Sequence, residues 1–311
     1  MFRFQKEQKI VNIAGVKIGG QPGERSTVLA GTIFYPNHTI VEDKNKGVFD
    51  ERKAEMLINR QVTCAEETGN PHIVHIFGGS ETSIKKYIDF VSELTEAPFL
   101  IDSTESKVRI CGAQYVTEIG LADRAINNSI NMGITKEEMD ILKNSDVDAS
   151  IVLGFNAMDS SLSGRMALLE TGGNVSDKGL LAIAEEDCGI SKILIDPSIT
   201  PLGNGAGIAL RMTLVAKAKW GHPVGSGVHN APLSWDWLRN KRKKDDMVFK
   251  TCDIGSIGLQ QMAAGDFILY GPIESAPYAF PMTAMGDIMI AEASADFDGI
   301  PEEGHPINKL V

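Results

Sequence analysis

Cysteine is scarce in this chain. There are four in 311 residues, at Cys64, Cys111, Cys188 and Cys252, and no two of them form a Cys-x-x-Cys pair. That spacing argues against a secreted disulfide framework and against a cysteine-rich zinc site. Histidine is also sparse, at six residues. His72 and His75 are three apart on a strand-like run, which sends their rings to opposite faces and makes them a poor metal pair. No bound metal is expected. Positive charge is in deficit, with 30 Lys and Arg against 41 Asp and Glu and a net charge of −11. A general nucleic-acid binder needs a basic face, so that class is disfavoured. The basic run Arg239 to Lys244 is followed by two aspartates and reads as a solvated helix face.

Long apolar runs are missing too. Nothing approaches the 18 residues a membrane span needs, and the first twenty residues lack the basic-then-apolar pattern of a signal peptide. The cytoplasm is the simplest compartment. Two motifs of familiar enzymes are also absent. There is no Gly-x-Ser-x-Gly elbow, and the nearest phosphate loop, Gly203-Asn-Gly205-Ala-Gly207, is not Gly-x-Gly-x-x-Gly.

What is present is a rhythm. Short apolar, β-branched runs end in Gly, Asn, Asp or Ser, and each is followed by a stretch with helical spacing. The runs are Val28–Phe34, His72–Phe77, Pro98–Asp102, Arg124–Asn128, Ala149–Phe155, Lys192–Asp196, Pro223–Asn230 and Asp266–Gly271. Successive units repeat at roughly 34 residues, a normal βα spacing. Alternation of this kind predicts a parallel sheet with right-handed crossovers, and eight units predict closure into a (β/α)8 TIM barrel. An open doubly wound sheet ranks second. Residues 1–26 form a lead-in with a short β-hairpin, Ile10–Ala14 and Val16–Ile18 around Gly15, which would plug the N-terminal end of the barrel.

In such a barrel the chemistry lies at the C-terminal ends of the strands. That rule selects Asp102, Asn128, Asn156, Asp196, Asn230 and Glu274. Each also has a plainer reading. Asp102 to Glu105 fits a helix capping box, Asp196-Pro197 fits an N-cap followed by proline, and Asn230 could cap its own helix. Taken together, carboxylates and carboxamides from different strands would converge on one rim, which stability does not require. A carboxylate accepts two parallel hydrogen bonds, and a carboxamide both donates and accepts. The set therefore suits a flat polar heterocycle such as a pterin better than a sugar phosphate.

Several runs carry a wider likeness. Val16 to Glu24, Leu100 to Thr104, Asp187 to Ile190, Val224 to Asn230 and Gly265 to Glu274 resemble the H subunit of tetrahydromethanopterin S-methyltransferase. The likeness covers nearly the whole chain. It implies one pterin-binding barrel over residues 1–311, commonly homodimeric, related to methyltetrahydrofolate:corrinoid methyltransferases and to dihydropteroate synthase. It implies pterin contacts at Asp102, Asn128, Ser129, Asp196, Gly227 and Asn230. The implied enzyme moves a methyl group between N5 of tetrahydromethanopterin or tetrahydrofolate and the cobalt of a corrinoid held by a partner protein. Asn230 would act near N5, with Asp102 and Asp196 anchoring the ring. His229 departs from the pattern, because methyltetrahydrofolate relatives often carry Ser there. The partner implied is the cobamide-carrying subunit of a membrane complex, with this chain peripheral to the membrane's inner face. The loops Asn156–Asn174 and Thr200–Gly207 are the expected partner contacts. The alternatives are a methylcorrinoid:tetrahydrofolate methyltransferase of methylamine or betaine use, and a non-catalytic pterin-binding protein. A sugar-phosphate barrel enzyme is a third.

Overall fold

The structure, a computed structural model, describes residues 1–297 and 299–311. The chain opens with an antiparallel hairpin, β1 (Ile10–Ile13) and β2 (Val16–Gly19), turning at Ala14 and Gly15. The first barrel strand, β3 (Val28–Ile33), leads into a second small hairpin, β4 (Val41–Asp43) with β5 (Val48–Phe49), and then α1 (Glu51–Thr68). This second hairpin falls between the first expected strand and its helix, where the sequence pattern gives no element. β6 (His72–Phe77) and α2 (Glu81–Leu94) follow, then β7 (Phe99–Asp102) and α3 (Ser106–Glu118), then β8 (Ala125–Ile130) and α4 (Lys136–Asn144). β9 (Ala149–Leu153) precedes α5 (Leu162–Thr171) and the short α6 (Leu180–Ala182), which continues as a π-helical turn over Ile183–Asp187. β10 (Lys192–Asp196) precedes α7 (Ala206–Trp220). β11 is only Gly225–Ser226, and α8 (Asn230–Leu233), α9 (Asp236–Arg242) and α10 (Asp246–Met262) come after it. β12 (Phe267–Pro272), α11 (Ala276–Ser294) and α12 (Pro306–Leu310) complete the chain.

Local chemistry sets these boundaries. Asp50 caps α1 by accepting from Lys53 N, and the helix stops at Gly69 in the left-handed region. Ser80 and Ser83 form a reciprocal capping box at α2.

Eight strands form one parallel sheet in the order β10-β9-β8-β7-β6-β3-β12-β11. An isolated parallel bridge, Ile195 to Val224, joins its two ends and closes the barrel. The hydrophobic alternation has a clear division of labour. Val28, Ala30, Ile73, Leu100, Ile126, Ala149, Ile151, Leu194, Phe267 and Leu269 point inward as one cluster. Their neighbours, including Val74, Ile76, Phe99, Ile101, Val152 and Ile193, pack outward against the helices. Val11, Ile13 and Ile18 of the first hairpin join the inward cluster and plug the N-terminal end, as expected.

Three expectations need correction. The seventh strand, expected over Pro223–Asn230, keeps ladder pairing only at Gly225–Ser226, and Asn230 starts a helix instead. Glycines at 225 and 227 supply no side chain to pack on a sheet face, and the register ends there. The loop Asn156–Asn174 contains a helical segment, α5, because Ser161 caps Leu162–Thr171 through Gly164 N. The stretch of helical spacing expected after the seventh run is split into α8, α9 and α10, and α10 starts at Asp246 with Asp245 accepting from Met247 N.

Candidate functional site

The inward parity continues past the apolar layer to the C-terminal ends of the strands. Two residues beyond Ala30, Ile73, Leu100, Ile126, Leu194 and Leu269 stand Thr32, His75, Asp102, Asn128, Asp196 and Gly271. A period of two carries polar groups from different strands to one rim. Register supports the layer: Thr32 pairs with His75, and Asp102 pairs with Asn128.

Asp102 does not cap a helix. The N-cap of α3 is Glu105, and it makes no side-chain cap bond. Instead Asp102 Oδ2 lies 2.7 Å from His75 Nε2, while His75 Nδ1 lies 2.9 Å from Thr32 Oγ1. The carboxylate accepts from Nε2–H, and Nδ1 shares a hydrogen bond with the threonine hydroxyl. Thr32 and His75 thus orient Asp102. The turn behind it is held from below. Arg109 forms a bidentate pair with buried Glu138, at 2.8 and 3.0 Å, and its third arm donates to Ser103 O at 2.7 Å.

Asp196 is no helix cap either, since α7 begins at Ala206. Its Oδ1 accepts from Ser198 N at 2.6 Å. Burial pushes the carboxyl up to about 7, against hydrogen bonds from the Ser198 and Gly227 backbones and the charge of Arg165. Arg165 is fully buried on α5. It donates to Ser160 O, Pro197 O and Ser198 O, so one guanidinium ties the loop after β9 to the loop after β10. Sequence reasoning misses it, because the stretch Asn156–Asn174 that carries it is read there as a loop.

The remaining positions divide. Asn128 is half-buried and Ser129 buried, at a register shift between Asn128 and Ile130. Asn230 is exposed at the rim, and α8 has no side-chain cap bond. The capping reading therefore fails for all three candidates to which it applied. Asn156 is structural: it is buried, accepts from Met158 N and Asp159 N, and donates to Gly164 O. Glu274 accepts from Tyr35 at 3.0 Å and lies 2.9 Å from His38 Nε2. Tyr35 and His38 stack on one another, with ring centroids 4.1 Å apart. Gly203 to Gly207 leads into α7, which Gly205 caps in the left-handed region.

Two cavities flank the rim. One, of about 410 Å³, opens between the Phe34–Lys44 segment and the ends of β6 and β7, with Gly79, Ser103 and Glu105 on its wall. The other, of about 490 Å³, lies at the ends of β11, β12 and β3, with His229, Asp253, Glu274 and Tyr35 on its wall. His229 fits against β12 because residue 271 is glycine. Gly271 has φ +86, and a Cβ there would come within 2.6 Å of the imidazole.

Among the described residues no group of three or more His, Cys, Asp and Glu is arranged to hold a metal ion. No helix among them is long and apolar enough to cross a membrane.

Comparison with known proteins agrees with this architecture. Residues 6–301 match the family described as "Tetrahydromethanopterin S-methyltransferase MtrH subunit". The chain is 65% identical over its full length, and over all of its counterpart, to the H subunit of the "Putative methyltransferase mtx" of Methanosarcina barkeri. It is 55% identical, again over the whole of both chains, to the H subunit of tetrahydromethanopterin S-methyltransferase from Methanothermobacter marburgensis. Among solved structures it is similar to dihydropteroate synthase from Yersinia pestis, with a TM-score of 0.59 at 9% identity, covering 92% of this chain and 98% of that one. A dihydropteroate synthase from Coxiella burnetii, solved with pteroic acid, gives 0.57 at 12% identity, covering 89% and 98%. At such identities these structures establish the TIM-barrel fold alone. The family match and the full-length relatives go further: the chain belongs to the MtrH family of methyltransferases, the family of the tetrahydromethanopterin S-methyltransferase MtrH subunit.

Proposed function

We propose that this protein moves a methyl group between N5 of a tetrahydropterin, with tetrahydromethanopterin favoured, and the cobalt of a corrinoid held by a partner protein. The observation that carries the reading is the convergence of Asp102, Asn128 and Asp196 on one rim, none of them spent on capping a helix. The donor set fits the ligand. A reduced pterin presents an exocyclic amine beside a ring N–H, and a carboxylate accepts both in parallel. Asp102, oriented by His75, and Asp196, anchored at Ser198, are the anchors. Asn128, Ser129, Gly227 and Asn230 complete the contacts.

The reacting centre is methylated N5, and the corrinoid is the co-substrate that exchanges the methyl group. An amine nitrogen is a poor leaving group, so catalysis requires donors that strengthen their contact as charge builds on N5. Asn230, exposed at the rim, takes that role. Asp102 and Asp196 fix the ring so that N5 faces outward. The corrinoid partner approaches from above, where the loops after β9 and β10 present Met158 at 81% exposure and Leu202 at 44%. Apolar side chains held out on loops tied together by Arg165 are suited to a protein partner.

The relatives named for tetrahydromethanopterin S-methyltransferase support tetrahydromethanopterin over tetrahydrofolate, and competition binding tests it. Calorimetric titration with each pterin is expected to give the tighter complex with tetrahydromethanopterin, weakened in Asp102→Asn and Asp196→Asn. Equal affinity of wild type and both variants for either pterin would overturn the assignment.

A further inference from the structure

One buried group in the second cavity takes no part in holding the pterin. Asp253, on α10, is 7% exposed and lies on the cavity wall. Its Oδ1 is buried without a hydrogen-bond partner. Leaving a carboxylate oxygen unpaired in such a place is costly, and stability gives no reason for it. The charged or titratable side chain paired with that oxygen is His229, whose Nδ1 lies 3.8 Å away. This is too long for a hydrogen bond and short enough for a small side-chain rotation to make one. The imidazole occupies the slot left by Gly271 and belongs to the same turn as Gly227 and Asn230. His75, the partner of Asp102, is close enough to act on the charge of His229. Asp253, His229 and the rim therefore stand in sequence, from the cavity to the mouth of the barrel.

We propose that Asp253 and His229 form a proton relay that delivers a proton to N5 of the tetrahydropterin as its methyl group leaves. The proposal rests on the methyl-transfer reading above. In the direction toward cobalt, the bond between N5 and the methyl carbon breaks and its electron pair stays on N5. The cobalt(I) of the corrinoid co-substrate supplies the pair for the new bond to carbon and is formally oxidised by two electrons. N5 takes a proton from the His229 imidazole. The imidazole takes the carboxylic proton of Asp253, and water entering the cavity reprotonates the carboxylate. His229 is the group that meets the substrate; Asp253 acts through it.

The electrostatics suit the assignment. Burial pushes Asp253 up to about 7, opposed by Arg242, so a proton is available near neutrality. Burial, with a contribution from His75, pushes His229 down to about 4, so the ring is neutral and able to pass a proton from one nitrogen to the other. The other charged or titratable groups on this wall are Arg60, Lys250, Glu274, Tyr35 and Tyr278. Asp196 is a weaker candidate for the task, because its carboxylate is already held by backbone N–H groups and lies near Arg165.

The test is single-turnover transfer from methyl-tetrahydromethanopterin to Co(I) cobalamin between pH 5.5 and 9, in wild type, Asp253→Asn and His229→Gln. Pterin affinity is measured alongside, and the His229 ring nitrogens are followed by long-range ¹H–¹⁵N NMR. The wild-type rate is expected to fall as the pH rises through about 7. Both variants should bind pterin as the wild type does, react about 100-fold more slowly at pH 6, and lose that pH dependence. The ring signals of wild-type His229 should shift with a midpoint near 7 without the ring becoming charged, and the shift should vanish in Asp253→Asn. A wild type that transfers the methyl group while both variants keep its rate and pH profile overturns the relay alone. Ring signals indifferent to Asp253 overturn it as well. A wild type that transfers nothing overturns the methyl-transfer reading and the relay with it.

Discussion

Asp102 and Asp196 are the proposed anchors of the pterin, and their surroundings make different predictions. Asp102 is fixed by the His75 imidazole. Asp102→Asn keeps the shape but replaces an acceptor with a donor, and a buried hydrogen bond to a charged group contributes about 1.5–3 kcal/mol. Tetrahydropterin affinity should fall roughly 10- to 100-fold by calorimetry, with the melting temperature little changed. Asp196 carries a burial penalty in the free protein. Its folded value of about 7 lies above the ordinary 3.8. Between these values the native state binds more protons than the unfolded chain, so wild-type stability falls as pH rises through this window and levels off above it. Urea unfolding of Asp196→Asn should therefore show an advantage over wild type that grows from pH 4 to pH 7, by about 2–4 kcal/mol, and then stays constant. A constant difference over that range would contradict the assigned cause. Both aspartates are legible in the sequence because each ends a short apolar run with the parity of its inward residues. His75 has the same parity and is easily overlooked. Judged beside His72 as a metal pair it has no use, yet two residues after Ile73 it has to face the barrel mouth. The signal is the alternation itself, not a motif.

At the scale of elements, the legible strands are those with an uninterrupted apolar alternation, such as His72–Phe77 and Lys192–Asp196. The seventh is shorter than its sequence suggests because its glycines carry no pattern, and only pairing with β12 fixes where it ends. The helix α5 escapes sequence reasoning because its capping serine lies within a run of polar residues. Arg165 on that helix has no visible purpose until the loops it joins are seen together. Gly271 shows the reverse case, where a residue without a side chain has a steric role. Gly271→Ala places a Cβ at φ +86 and within 2.6 Å of the His229 ring. A loss of about 1–3 kcal/mol in chemical denaturation is expected, together with a displaced His229 in the NMR spectrum. An unchanged His229 environment would show that the slot is not formed in this way.

Across the whole molecule, the barrel core is a stack in which apolar layers support a polar rim. The first hairpin closes the lower end, with Ile13 and Ile18 fully buried among the strand residues. Ile18→Ala should cost about 2–5 kcal/mol in urea unfolding, the range for removing a buried isoleucine side chain from a packed core. A loss below about 0.5 kcal/mol, well under that range, would mean that the hairpin is an ornament rather than a plug. The overall architecture is the most legible feature, because eight repeats of strand and helix leave few ways to close. The chemistry is less so, since it resides in where different strands bring single residues.

The central claim is that this rim holds a tetrahydropterin whose methyl group reaches cobalt. The most direct measurement is the absorbance of Co(I) cobalamin in a single turnover, with methyl-tetrahydromethanopterin and methyl-tetrahydrofolate supplied in separate reactions. The account predicts rapid loss of the Co(I) band with methyl-tetrahydromethanopterin, and its abolition in Asn230→Ala. Persistence of the band with both methylated pterins, at concentrations where either is demonstrably bound, would contradict it.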